Sequence, residues 1–245
     1  MNPRYERWRW QIFGITWLIY AGLYFTRQSF GVAKVAFAAD PRVLLDRSQY
    51  GLIDSAYLTT YMLGQFVFGA LGDRFGPRWI LLSGLALSIL AAVGSGFSIS
   101  VTAFIAFAVL QGVAQSTGWS NVSKTMSSWF SLRERGRVIG LWCSHYTVGS
   151  AAAVVFAGWL TDHWGGLVPS GVLGYQVTPF WPAAVWGPAG VLCIVLVLSW
   201  QLLRNRPEDV ELPPIEKYHG EPVSLLDDED KKHIAPEGSW RLVGE

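Results

Sequence analysis

The sequence predicts an all-α protein that crosses a membrane six times. Three observations carry that prediction. Half of the 245 residues are hydrophobic and only 15% are charged. The apolar residues gather into six long runs, about 11–37, 50–70, 79–98, 101–123, 138–161 and 180–203, each near the roughly 20 residues that a spanning helix needs. These runs also lack the broad polar faces that helices of a water-soluble domain carry.

The first run follows Arg4, Arg7 and Arg9 and is too long for a signal-peptide core, so it is expected to remain as the first span. Arg74 and Arg78 separate the second and third runs, and Arg133, Arg135 and Arg137 separate the fourth and fifth. Arg204 and Arg206 follow the sixth. On the other side stand Arg42 and Arg47, next to Asp40 and Asp46, and a long loop, Asp162 to Thr178, that has no Lys or Arg. The positive-inside rule then places both termini in the cytoplasm. Many of the 13 Trp, among them Trp8, Trp79, Trp129, Trp164 and Trp200, fall near run ends, where amphipathic rings settle. The two cysteines, Cys143 and Cys193, lie inside runs and in no metal-ligand spacing, so no metal or other cofactor is expected. A net charge of +1 gives no footprint for nucleic acid.

After Leu203 the composition changes. Residues 1–203 form the six-helix domain, and 204–245, rich in Pro, Glu and Asp, are expected as a polar cytoplasmic tail or linker, mostly disordered.

Arg27 stands in the middle of the first run. A guanidinium at bilayer depth costs roughly 2.5–3.5 kcal/mol on insertion scales and is tolerated where it faces water or a fixed partner. Its fork of donors suits phosphate or carboxylate. At 100° per residue, Tyr20, Tyr24, Arg27, Gly31 and Lys34 share one line on the first helix. On the second helix Asp54, Tyr61 and Gln65 share a face, with Tyr57 at its edge, and Ser48 is the expected N-cap. The fourth carries Gln111, Gln115, Trp119, Ser120, Asn121 and Lys124, and the fifth Ser144, His145, Tyr146 and Thr147. Interhelical hydrogen bonding explains scattered Ser, Thr and Gln, but it explains an arginine aligned with two tyrosines poorly. The stripe is therefore expected to face a cavity. Lys34 is expected to snorkel to the interface, Asp54 to take a hydrated ion pair or polar contact, and Lys124 to act at the interface. His145 either titrates near neutral pH or bonds between helices. Gly64, Gly69, Gly84, Gly149 and Ala151–Ala153 are expected to let helices approach closely.

Two loops narrow the assignment. G-A-L-G-D-R-F-G-P-R at 69–78 lies between the second and third runs and resembles the loop signature of the major facilitator superfamily; R-E-R-G-R at 133–137 resembles its partner loop. In that likeness Gly69, Gly72, Asp73, Arg74, Gly76 and Arg78, with Arg133, Arg135 and Arg137, form a cytoplasmic gate. Four further stretches resemble the organophosphate:phosphate antiporter family within it: Y-A-G-L-Y-F-T-R-Q-S-F at 20–30, Q-S-T-G-W at 115–119 with Lys124 and Trp129-Phe130, W-C-S-H-Y-T-V-G at 142–149, and N-R-P-E-D-V-E-L-P-P-I-E-K-Y at 205–218. The likeness covers the N-terminal half of a twelve-span protein.

The resemblance implies exchange of a sugar phosphate or glycerol phosphate for inorganic phosphate, by alternating access of two six-helix halves about a midplane site. It implies that Arg27 binds the phosphoryl group, in a cavity lined by Tyr20, Tyr24, Tyr61, Gln65, Trp119 and His145. Gln28 and Gln65 stand where bacterial glycerol-phosphate transporters have lysines, and Tyr146 where that branch has its histidine. The cavity is thus less cationic, and the substrate stays open among organophosphates. A C-terminal six-helix half or a second copy would complete the transporter, in a bacterial inner membrane. Organic-anion symport and sensing of a sugar phosphate through a membrane partner are the alternatives. An enzyme is not expected, since no nucleophile–base constellation or phosphate-cradling glycine loop is present.

Overall fold

The computed structural model describes residues 2–37, 40, 42–164 and 180–219. Eight helices build the six spans: α1 (Pro3–Phe37), α2 (Arg47–Phe75), α3 (Pro77–Ser95), α4 (Val101–Ser116) with α5 (Gly118–Trp129), α6 (Leu132–Trp142) with α7 (His145–Trp164), and α8 (Ala183–Leu202). The stretches 77–95, 101–129, 132–164 and 183–202 are apolar and long enough to cross a membrane by composition alone. The other two, α1 with 35 residues and α2 with 29, are also long enough to span, at about 1.5 Å of rise per residue. Their hydropathy is diluted by Arg27 and Lys34 on α1 and by Asp54 and Tyr57 on α2.

Local chemistry sets the helix ends. Asp46, not Ser48, caps α2: its carboxylate accepts from the Gln49 N–H at 2.8 Å, and the Gln49 side chain accepts from the Asp46 N–H at 2.9 Å. Ser48 lies inside the first turn and donates its hydroxyl to Asp46 at 2.7 Å. Two acceptors compete for one cap position, and the carboxylate two residues earlier reaches the orphan amide. A one-residue turn joins α2 to α3. Gly76 takes φ +84°, a conformation open to glycine, and Pro77 starts α3.

The helices pack as a bundle around α1, which lies against α7 and α8, while α2 packs on α4, and α3 on α4 and α8. On α7, a Cβ at Gly149 would stand 2.9 Å from the Ala21 Cα, so only glycine lets these two backbones meet. Polar side chains tie the core: Gln115 donates to the Leu23 carbonyl at 2.9 Å, and Gln28 to Ser150 at 2.7 Å. The outer faces are apolar; Phe66 is 78% and Val155 72% exposed. Such faces suit lipid and not water.

At the opposite end from the start of α1, buried Asp40 accepts from the Trp181 indole at 2.9 Å and pairs with Arg42 at 3.1 Å. Most of the long loop that the sequence places after Asp162, residues 165–179, lies outside the described residues.

The expectation of a mostly disordered stretch after 203 does not hold for 204–219. A 3₁₀ turn (Pro207–Val210) and a short helix, α9 (Ile215–His219), fold back onto the start of α1. Leu212 and Ile215 are buried. Tyr218 stacks on Tyr5 with centroids 3.9 Å apart and planes parallel within 1°. Arg4 donates to the Val210 carbonyl, and Tyr5 to that of Pro213, both at 3.0 Å. Average composition conceals this, because a few apolar residues spaced along a polar stretch suffice to dock it. Residues 220–245 lie outside the described residues.

Candidate functional site

The polar stripe of α1 faces α2 across a gap near mid-membrane. Arg27 reaches into this gap, with the rings of Tyr61, Tyr24 and Tyr57 centred 5.0, 5.6 and 5.8 Å from its guanidinium carbon. Tyr57 and Tyr61, one turn apart on α2, stack at 6.0 Å. Cation–π contact stabilises a desolvated guanidinium by about 2 kcal/mol. It leaves the five N–H donors of the fork unspent. Among the described residues, no carboxylate pairs with Arg27.

A cavity of about 350 Å³ opens beside it, bounded by α1, α2, α3 and α4 and lined by Arg27, Gln28, Lys34, Asp54, Tyr57 and Gln111, among others. Two polar atoms next to it are buried and unpartnered: the Tyr57 hydroxyl and the Gln111 Oε1. The Gln111 amide nitrogen donates to Ser88 at 2.8 Å, and Ser88 bonds Thr26 at 2.9 Å, so the glutamine is held from behind. The rest of the wall mixes the hydroxyls of Thr26, Ser29 and Ser95 with apolar side chains such as Ile53, Phe104 and Val185. A cation on a π-lined shelf, a hydroxyl and an amide oxygen, the last two without partners, thus border one cavity with hydrogen-bonding capacity to spare.

Lys34 does not simply snorkel. Its ammonium bonds Asp54 on α2 at 2.6 Å and lies 4.7 Å from the Phe30 ring centre and 5.6 Å from that of Tyr50. Asp54 thus takes the expected ion pair, and its partner is the nearest cation across the α1–α2 seam.

The remaining expected residues divide. Tyr20, Trp119 and His145 form an aromatic cluster with Trp142 and Tyr146 between α1, α5 and the α6–α7 break. From the Tyr20 ring centre, His145 lies at 4.5 Å, Trp142 at 5.6 Å and Trp119 at 5.9 Å. His145 is fully buried; its Nδ1 lies 2.6 Å from the Trp142 carbonyl, a local contact across the α6–α7 break and not one between spans, and its Nε2 has no partner among the described residues. The cluster is not part of the cavity wall. Tyr24 links the two, with Tyr20 at 6.1 Å and Tyr146 at 5.8 Å. Gln65 is half-buried on α2, one turn beyond Tyr61, and does not line the cavity. Gln111, by contrast, stood out in the sequence only as one of several polar residues in an apolar helix. Its orientation depends on Ser88 and Thr26 from two other helices, which no single-helix projection contains.

The gate residues lie together at the end that carries both the N-terminus and residue 204. Asp73 pairs with Lys124 at 2.6 Å, and the same ammonium reaches the Gly69 carbonyl. Gly72 faces Asn121, whose amide donates to the Phe68 carbonyl at 3.1 Å. Arg78 donates to the Trp200 carbonyl at 2.6 Å, and Asn205 accepts from its amide N–H at 2.7 Å. Arg135 turns to the Ser127 carbonyl at 2.9 Å, and Arg74 lies over Phe75. Arg133 and Arg137 flank it on the exposed face of α6.

Sequence and structure comparisons agree with this geometry. Residues 13–243 match the Major Facilitator Superfamily. A probable hexose phosphate transport protein of Chlamydia muridarum is 30% identical over 98% of this chain and 49% of its own length. The glycerol-3-phosphate transporter of Bacillus subtilis is 29% identical over 99% of the chain and 52% of its own length. A crystal structure of a bacterial homologue of the human lysosomal transporter Spinster superposes with a TM-score of 0.70 at 19% identity, over 84% of this chain and 44% of that one. The chain thus spans about half the length of the relatives it matches, and the expected likeness to organophosphate transporters is borne out. With the bundle, the loop motif and these matches in hand, the chain belongs to the major facilitator superfamily, a family of transporters and not of enzymes, and represents one six-helix half of that fold.

Proposed function

We propose that the chain supplies one half of a transporter that exchanges an organophosphate, a sugar phosphate or glycerol phosphate, for inorganic phosphate. The observation that carries this reading is the state of Arg27: a guanidinium at bilayer depth with three aromatic faces around it, a cavity beside it and, among the described residues, no carboxylate on it. A bidentate oxyanion is the ligand such a fork recognises. The two relatives, a probable hexose phosphate transport protein and a glycerol-3-phosphate transporter, support phosphoryl over carboxyl ligands.

In this reading the phosphoryl group binds Arg27, and the Tyr57 hydroxyl donates a further bond. Tyr24 and Tyr61 keep the guanidinium aimed. The aromatic cluster of Tyr20, Trp119 and His145 forms the floor between this site and the gate. Alternating access comes from rocking of this half against a second six-helix unit, a C-terminal half or another copy. Lys124–Asp73 and the arginines of the 133–137 loop hold one conformation. The arginine-rich end faces the cytoplasm, in a bacterial inner membrane, as the positive-inside rule and the bacterial relatives support.

The test is counterflow of labelled phosphate in liposomes that hold the purified chain, alone and co-expressed with a C-terminal six-helix half, with Arg27→Ala alongside. Exchange that disappears in the variant is the expected result. Exchange that persists in Arg27→Ala removes the assignment.

A further inference from the structure

Arg27 alone does not match a phosphate dianion; about one negative charge would remain uncompensated in a low-dielectric cavity, which is costly. The cavity holds another cation. Lys34 lies on the same stripe of α1, seven residues on from Arg27, a rise of about 10.5 Å, and it lines the same cavity. Resting on the anion-binding reading above, we propose that Lys34 is a further cation that this half supplies to the site and that Asp54 is its stand-in ligand. Lys34 pairs with Asp54 while the cavity is empty and turns to the anion when it fills.

Four features support the exchange. The ammonium sits on a flexible four-carbon stem, unlike the planar fork of arginine, so it can swing along the cavity. Its present partner is held loosely: the Asp54 side chain is 51% exposed, and exposed pairs contribute little. Phe30 and Tyr50 lie beside the ammonium at 4.7 and 5.6 Å and keep a cation in place whichever anion faces it. The Tyr57 hydroxyl, one turn from Asp54 on α2, is buried with no partner, and Tyr57 lines the same cavity as the two cations.

The same geometry narrows the ligand. On the wall of the same cavity, one atom of the Gln111 amide is buried and open, whichever way the amide is set. In the arrangement described it is the oxygen, an acceptor, and it calls for a hydroxyl. A phosphate monoester whose organic part carries hydroxyls fills both poles; a bare carboxylate fills one.

Asp54 then competes with the ligand, and the two members of the ion pair have opposite effects. In the full chain reconstituted in lipid nanodiscs, equilibrium binding of radiolabelled inorganic phosphate is measured for the parent, Asp54→Asn, Lys34→Met and Arg27→Ala. Asp54→Asn, nearly isosteric, is expected to tighten binding on the order of tenfold by removing the competing charge and freeing the ammonium. Lys34→Met is expected to weaken it by a similar factor and to cancel the gain of Asp54→Asn in the double variant. Circular dichroism checks that each variant is folded, and Asp54→Asn alone suffices if Lys34→Met is not. Binding that is unchanged or weaker in Asp54→Asn, while Arg27→Ala still loses it, overturns this proposal and leaves the anion site at Arg27 standing. Parent-like binding in Arg27→Ala, or no binding by the parent even when it is co-expressed with a C-terminal six-helix half, overturns both.

Discussion

The end of the bundle that carries the start of α1 and the 204–219 segment, and the cavity at its middle, treat charge in opposite ways. At the first, Arg9 is almost wholly buried, yet each face of its guanidinium is used. It bonds Glu6 at 2.9 Å, meets Glu134 at the start of α6, and donates Nε to the Trp129 carbonyl at 3.2 Å. Phe130 covers it at 5.0 Å, and His219 approaches Glu134 at 3.8 Å. At the second, Arg27 has only π faces around it, and a hydroxyl and an amide nearby have nothing to bind. A satisfied buried charge ties elements together: this one joins α1, α6 and the 204–219 segment. A buried charge left with open donors holds nothing together and is kept ready for something absent. The two arginines thus differ in role because of their partners, not their burial.

The sharpest way to break the comparison is to remove Arg9. Arg9→Met leaves Glu6 and Glu134 without their shared cation and frees the Trp129 carbonyl. Breaking a buried pair from one side typically costs 3–5 kcal/mol, and because both carboxylates keep some exposure we expect about 3 kcal/mol. The thermal midpoint of the chain in detergent should fall by several degrees. A midpoint unchanged by Arg9→Met would mean that the network is ornamental and the contrast with Arg27 false.

Arg27→Lys sharpens the contrast from the other side. Charge and stem are kept, while the planar fork and its stacking among Tyr24, Tyr57 and Tyr61 are lost. The thermal midpoint should move little, since no protein acceptor depends on the fork. Phosphate affinity should fall at least about tenfold, which is about 1.4 kcal/mol. Titration calorimetry beside a melting curve separates the two. A large loss of stability with unchanged affinity would move Arg27 into the class of Arg9.

The sequence revealed these two regions unequally, for a physical reason. Six spans, the α1 stripe and the α2 face were legible because helix periodicity is local: Tyr24, Arg27 and Lys34 share a side whatever surrounds them. Partner choice is not local. That Lys34 meets Asp54, that Gln111 is held by Ser88, and that Tyr218 stacks on Tyr5 across 213 positions depend on how helices dock. The same limit divided the expected cavity residues. Tyr20 lies on the stripe with Arg27, but α5 and α7 close over it with Trp119 and His145. Average polarity likewise misjudged 204–219, where Leu212 and Ile215 decide the outcome.

The far end of α2 offers the gentlest test, because its cap is fully exposed and uses neither burial nor a cation. The Ser48 hydroxyl, and after it the Gln49 amide, bond the Asp46 carboxylate and hold it below the ordinary aspartate range. A carboxyl depressed in the folded state contributes its stability above its unfolded value, about 3.9. That contribution fades as pH falls through the folded value, when protonation removes the acceptor from the Gln49 amide. Amide exchange at residues 47–50 should therefore quicken, relative to the intrinsic rate, as pH drops below about 4, while the rest of α2 keeps its protection. Asp46→Asn retains an acceptor but not the charge, so it should flatten this pH dependence without unravelling the turn. Loss of protection along the whole of α2 would mean instead that the cap holds the α1–α2 seam, and with it the Lys34–Asp54 end of the cavity.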